Sequence, residues 1–227
     1  MPKITIKPFV NKNLTPLEAS SKYPLYFQIT FQRRNTQVKS HFNTFLETVE
    51  GIRGDEFDIL KFEMEILEKT VFHEYKKAGK AFTLHGIKEK YELNILSLTD
   101  VFEGHLKKKL LKAIKYCHSE FLPIIKFDGF EVTFTLLFKA SKLLIDNFTK
   151  TLPSDFKEEI EAYQNFVLIN KTKLKSCEYA CVIDWQQFEY QTELKNSFAK
   201  IFPEKIALGE KNIAILNGIV EERLKFL

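Results

Sequence analysis

Through residues 23–32 the chain alternates apolar and polar side chains without interruption. Leu25, Phe27, Ile29 and Phe31 fall on one side, and Tyr26, Gln28, Thr30 and Gln32 on the other. A period of two sustained over this length is the mark of a strand buried on one face only. Such a strand needs neighbours. Arg33-Arg34-Asn35 reads as a polar turn, after which residues 36–42 return with Val38 and Phe42 toward the inner side. Lys3-Ile4-Thr5-Ile6-Lys7 alternates in the same way, and residues 11–22 read as a loop between it and the hairpin. The expected element is a three-stranded antiparallel sheet with one apolar and one wet face.

A sheet this small is stable only when its apolar face is covered. Residues 55–78 provide the cover: Phe57, Leu60, Met64, Leu67 and Val71 recur at helical steps, Asp55 stands near the start and Gly79 just past the end. A shorter helix is expected from Thr83, with Leu84, Ile87 and Tyr91 on one side. From about residue 97 onward helical periods dominate. Helices are expected over 101–116, 133–148 and 154–167, then from an Asp184 cap through Phe202 to Pro203, and over 206–226, while 177–183 fits either strand or helix. The fold class is therefore α+β, organised as a basic sheet-plus-helix domain over 1–92 and a mainly helical domain over 97–227. Twenty-two Phe and an apolar fraction of 44% are enough to fill both interiors.

Charge is distributed unevenly between these parts. Residues 1–46 hold Lys3, Lys7, Lys12, Lys22, Arg33, Arg34 and Lys39 against Glu18 alone, a balance of 7 − 1 = +6. The whole chain sums to 34 − 30 = +4, so residues 47–227 carry −2. An ordinary solvated face mixes signs, whereas a compact basic β-element is the footprint of a phosphate binder. Arg33, Arg34 and Lys39, with Lys3 and Lys7, are the candidate phosphate ligands. Gln28, Thr30 and Gln37 carry amide and hydroxyl groups suited to base edges. Lys3, Thr5, Lys7, Tyr26, Gln28, Thr30, Gln32, Gln37, Lys39 and His41 are expected to share the wet face.

Other constellations read as structure. The lysines at 107, 108, 109, 112 and 115 describe the solvated side of a helix, with Glu103 and Glu120 nearby. Cys177-x-x-x-Cys181, with Cys117-His118 elsewhere, lacks the tight pairs of structural zinc and reads as buried thiols. No nucleophile elbow, phosphate-cradling glycine loop or His-Glu-x-x-His occurs, and no cofactor is expected. Three cysteines, no secretory start and no apolar run of about eighteen residues point to a cytoplasmic chain with no membrane contact.

Tyr23-Pro-Leu-Tyr-Phe-Gln-Ile-Thr-Phe-Gln-Arg-Arg-Asn35 resembles the "P-x-Y-x-x-I-x" strand and basic turn of the arm-type DNA-binding domains of tyrosine recombinases, the phage-integrase family, particularly the Bacteroidetes mobile-element kind. Gly79-Lys-Ala-Phe-Thr-Leu-His-Gly-Ile-Lys-Glu-Lys90 is similar to the segment that leads out of that family's covering helix. The resemblance spans residues 1–92 and implies a three-stranded sheet that meets DNA through its face. Lys39-Ser-His-Phe-Asn-Thr44 lacks the Gly and Trp usual after the family's hairpin. The family's catalytic pattern has no counterpart: none of His41, His73, His85, His105 or His118 precedes an Arg by three residues, and the only arginines are Arg33, Arg34, Arg53 and Arg223. The expectation is a non-catalytic, mobile-element-associated DNA-binding protein. The alternative is a helical protein-interaction module with no nucleic-acid role, whose partner meets residues 97–227.

Overall fold

The computed structural model describes residues 3–17, 21–117, 119, 132–173 and 180–225. The chain forms two compact units, Met1–Leu96 and Ser97–Leu227, the first α+β and the second mainly helical.

In the first unit β1 (Ile4–Val10), β2 (Tyr23–Phe31) and β3 (Arg34–Lys39) form an antiparallel sheet in the order β1-β2-β3. The alternation of residues 23–32 lands on the central strand, and Leu25, Phe27, Ile29 and Phe31 are buried almost completely. The hairpin turn falls one residue earlier than expected. Gln32 and Arg33 occupy it, both with positive φ (49° and 65°), while Arg34 and Asn35 already belong to β3. A two-residue turn left-handed at both positions matches the right-handed twist of its strands, which the expected three-residue turn does not.

The return strand also ends early. Ser40 N–H donates to the Leu25 carbonyl, and the Leu25 N–H donates to Thr44, so the intervening residues loop off the sheet. His41 and Phe42 therefore leave the sheet faces; Phe42 is half exposed rather than inward. A short fourth strand, β4 (Phe45–Leu46), then pairs with Tyr23 and Pro24.

β1 runs on through Pro8, beyond the expected Lys7. Leu25 spends both backbone groups toward β3 and β4, so the residues in step with it across β1, including Pro8, turn theirs to the open edge. Pro8 thus removes a donor where no ladder needs one, and blunts the edge against pairing with another chain.

The covering helix α1 spans Asp55–Ala78 as expected, between two positive-φ glycines, Gly54 and Gly79. Its first turn carries Asp55, Glu56 and Asp58, and its last Lys76 and Lys77, in accord with the helix dipole. The buried stripe is rotated from the expected one. Glu63, Ile66 and Thr70 are buried, whereas Phe57 is half exposed and Met64 only half-buried, both beside the apolar side of β1.

Glu63 explains the rotation. Its carboxyl accepts from Ser40 Oγ (2.8 Å), the His41 N–H (2.6 Å) and Tyr91 OH (2.6 Å), with no surface in solvent. Tyr91 lies on α2 (Ile87–Asn94), which begins after left-handed Gly86 rather than at Thr83. Asn94 donates to Thr70 Oγ1 (3.2 Å) beside this network. At the other end of α1, the Tyr75 and Phe82 rings pack edge-on against Phe31.

The second unit comprises α3 (Leu98–Cys117), α4 (Phe134–Leu144), α5 (Phe148–Thr151), α6 (Ser154–Lys173), α7 (Val182–Trp185), α8 (Phe188–Ile201) and α9 (Ile206–Leu224). The expected helix 133–148 is broken: Ile145 is extended and Asn147 left-handed, which returns the chain through the short α5. Asp184 is not the cap of a long helix. It sits in α7, where its carboxylate accepts the Cys181 N–H (2.9 Å), and the longer α8 starts at Phe188.

Phe102 centres the aromatic core of this unit, edge-on to Tyr163, Phe166 and Trp185. Gly209 allows α9 to meet α8 closely, since a Cβ there would lie 2.6 Å from the Phe198 ring. Lys109 pairs with Glu159 (2.6 Å) and Asp155 (3.5 Å), and Lys107 with Glu103 (3.8 Å), so part of the lysine run is ion-paired. Cys181 is buried and Cys117 exposed. Cys177, His118, Glu18, Glu120 and Phe226 lie outside the described residues. Among the described residues no helix is long and apolar enough to cross a membrane, and no group of three or more His, Cys, Asp or Glu is placed to hold a metal.

Glu63→Ala should destabilise the first unit by about 3 kcal/mol or more, because two buried hydroxyls and the part-buried His41 N–H lose their acceptor. Glu63→Gln should cost less, since its amide can still accept from Tyr91 and the His41 N–H and can donate to Ser40. Hydrogen-exchange protection of the β2 amides measures both.

Burial acts to raise the Glu159 pKa, but hydrogen bonds from His105 (3.1 Å) and Lys109 outweigh it and hold the group below its ordinary 4.5. A depressed carboxyl pKa stabilises the folded state above the unfolded value, and this contribution is lost as pH falls through the folded one. Glu159→Gln should therefore make stability less steeply pH-dependent below pH 4.5. Fluorescence of Trp185, the single Trp and buried in the helical unit, follows this during denaturant unfolding.

Candidate nucleic-acid interface

The register of the sheet arranges its wet face in three rows that cross β1, β2 and β3. Thr5, Thr30 and Asn35 form the row nearest the turn, then Lys7, Gln28 and Gln37, then Phe9, Tyr26 and Lys39. Directly paired residues in an antiparallel sheet project to the same side, so each row is a line of neighbouring side chains. The face therefore unites five of the expected site residues, Lys7, Gln28, Thr30, Gln37 and Lys39. Every row offers hydrogen-bonding groups, two contain a lysine, and none contains an acid.

The other three are placed differently. Lys3 is exposed immediately before β1. Arg33 is exposed at the turn. Arg34 pairs with Phe31 and so has the parity of the apolar side, yet it is exposed at the hairpin end. The basic tip consequently straddles the sheet, with Arg33 at its apex. Gln32 belongs to the turn and His41 to the loop after β3, so neither is part of the rows.

Among the described residues, no ion pair joins Lys3, Lys7, Arg33, Arg34 or Lys39 to a carboxylate. Lys39 Nζ donates to the neutral Asn43 Oδ1 (2.9 Å), which leaves its charge uncompensated, and the Thr30 hydroxyl donates to Asn35 Oδ1 (2.8 Å). Glu47 accepts from Ser21 (2.6 Å) just past Leu46, which pairs with Tyr23. That is the opposite end of β2 from the turn, roughly 26 Å along the strand.

The direction of α1 adds to the same asymmetry. Glu63 meets the Ser40 end of β3, and Tyr75 meets Phe31 at the hairpin end. The acidic first turn thus lies toward the base of the sheet, and Lys76 and Lys77 lie toward its tip. His73 reports this setting: burial lowers its pKa, Lys77, Lys76 and Lys90 lower it further, and Glu74 opposes them.

Phe9 and Asn35 were missed in the sequence. The expected strand stops at Lys7, short of Phe9, and the expected turn takes in Asn35. The usable signal was the parity of Phe9 with Thr5 and Lys7, which holds once Pro8 is recognised as an edge residue.

Neither Gln32 nor Arg33 is a residue that the left-handed region favours. Replacing the pair with the favoured turn sequence, Gln32→Asn with Arg33→Gly, should stabilise the hairpin by about 1 kcal/mol or more. Increased hydrogen-exchange protection of β2 and β3 is the expected outcome. Comparisons with protein-family models, with curated proteins and with solved structures find no match to this chain.

Proposed function

We propose that the N-terminal unit binds DNA through the wet face of its sheet and the Arg33 tip, and that the chain is a non-catalytic protein associated with a mobile genetic element. The observation that carries this reading is the three-row face, which joins lysines, amides and hydroxyls and contains no carboxylate. In this reading Arg33, Arg34, Lys39 and Lys7 hold phosphates, with Lys3 beside them, while Gln28, Gln37 and Thr30 approach base edges. The strained tip supports it. Two residues stay left-handed where Asn-Gly would be easier, and one of them is an arginine at the apex of the basic hairpin. The mobile-element association rests on the resemblance of residues 1–92 to recombinase arm domains.

A second reading concerns the helical unit, as a surface for a protein partner. Leu136, Leu143 and Leu144 of α4 are 58%, 87% and 42% exposed, an apolar display on one short helix.

Fluorescence anisotropy of a labelled duplex against salt tests the DNA reading. Three or four phosphate contacts should give a log–log slope of about −3. Arg33→Ala/Arg34→Ala/Lys39→Ala should abolish most of the binding while Trp185 fluorescence and β2 protection remain native. Binding that ignores salt, or that survives in the triple variant, would sink the assignment.

A further inference from the structure

The third row of the face does not fit a surface made only for phosphates and base edges. Phe9 and Tyr26 lie directly across from each other on the solvated side, with ring centroids 5.9 Å apart and planes inclined by 34°. Both residues are half-buried, so neither is sealed into a core. Cross-strand packing accounts for the pairing. It does not account for aromatic surface left on the wet face of a sheet whose other side already supplies the core.

The neighbours of the pair are cationic. Lys39 sits across β3 from Tyr26, and Lys7 precedes Phe9 by two residues on the same face of β1. Lys7 is thus about 7 Å along the strand from Phe9, and Lys39 one strand spacing, about 4.8 Å, from Tyr26. Aromatic surface flanked by lysines is the arrangement that holds single strands: a base stacks on the ring and the adjoining phosphates meet the cations. In a duplex the base faces are covered by their neighbours and this surface would find no partner.

We infer that Phe9 and Tyr26 form a stacking platform for an unpaired base, so that the preferred ligand is single-stranded or locally opened DNA rather than intact duplex. The inference rests on the DNA-binding reading and names the form of DNA that this site takes. Gln28 and Gln37, in the next row, lie where the edge of a stacked base or of its neighbour would be met.

The experiment uses the full chain and an oligothymidylate with one central 2-aminopurine, alone or annealed to its complement. The base analogue changes fluorescence when it stacks, so wild-type protein answers without any variant. The expected result is tighter binding to the single strand than to the duplex, with a fluorescence change only in the single strand. Phe9→Leu/Tyr26→Leu keeps apolar side chains in the strands but removes the ring faces. It should weaken single-strand binding by roughly tenfold or more and remove the fluorescence change, while Tyr26→Phe should behave as wild type. Equal affinity for both forms with no fluorescence change would overturn the inference and leave the DNA reading standing. No binding of either form at low salt would overturn both.

Discussion

Glu63 sets the geometry on which the N-terminal unit depends. A carboxyl group withdrawn completely from water must be satisfied by donors, and here they come from the end of β3, the loop after it and α2. One side chain of α1 thereby fixes where β3 stops, where the covering helix crosses the sheet and how α2 closes over both. Apolar contact alone is non-directional and would tolerate rotation of α1 about its axis. The hydrogen bonds do not, and their cost is visible: Phe57 and Met64, which share the apparent apolar stripe, are left at its margin.

That orientation has an electrostatic consequence. With the Ser40 end of the sheet held to Glu63 and the Phe31 end packed on Tyr75 and Phe82, α1 holds the acids of its first turn away from the hairpin tip and the lysines of its last turn toward it. The helix covers the apolar side of the central strand, and the wet face keeps its uncompensated cations. The same sheet has an open edge at β1, where Pro8 discourages pairing with another chain. The face, not the edge, is what the unit presents.

Legibility differed between the two units for physical reasons. A one-sided strand writes its exposure directly into a period of two, so β2 and the membership of Gln28 and Thr30 in the wet face could be read without coordinates. Turn position could not, because Gln32-Arg33 adopts a backbone conformation that its side chains disfavour, and nothing local announces it. Phe9 lies beyond the alternation that ends at Lys7, past Pro8, whose missing donor is harmless only because it faces the open edge. In the helical unit, periodicity found the long helices but not the break at Ile145 or the short α7 capped by Cys181. Phe148, just past the break, and Trp185, in α7, are both buried, and Trp185 packs on Phe102, a residue distant in the chain that no local pattern brings there.

By itself the sequence determined the α+β class, the central strand and its two faces, the extent of α1 and the concentration of positive charge in the first 46 residues. These follow from periodicity, propensity and charge, which act over a few residues. Only the tertiary structure decided the three rows across the sheet, the parity of Arg34, the pairing of Phe9 with Tyr26 and the burial of Glu63. Each of these depends on register or on contacts between segments distant in the chain, and a shift of one residue in strand pairing would turn the side chains of the shifted strand to the other face.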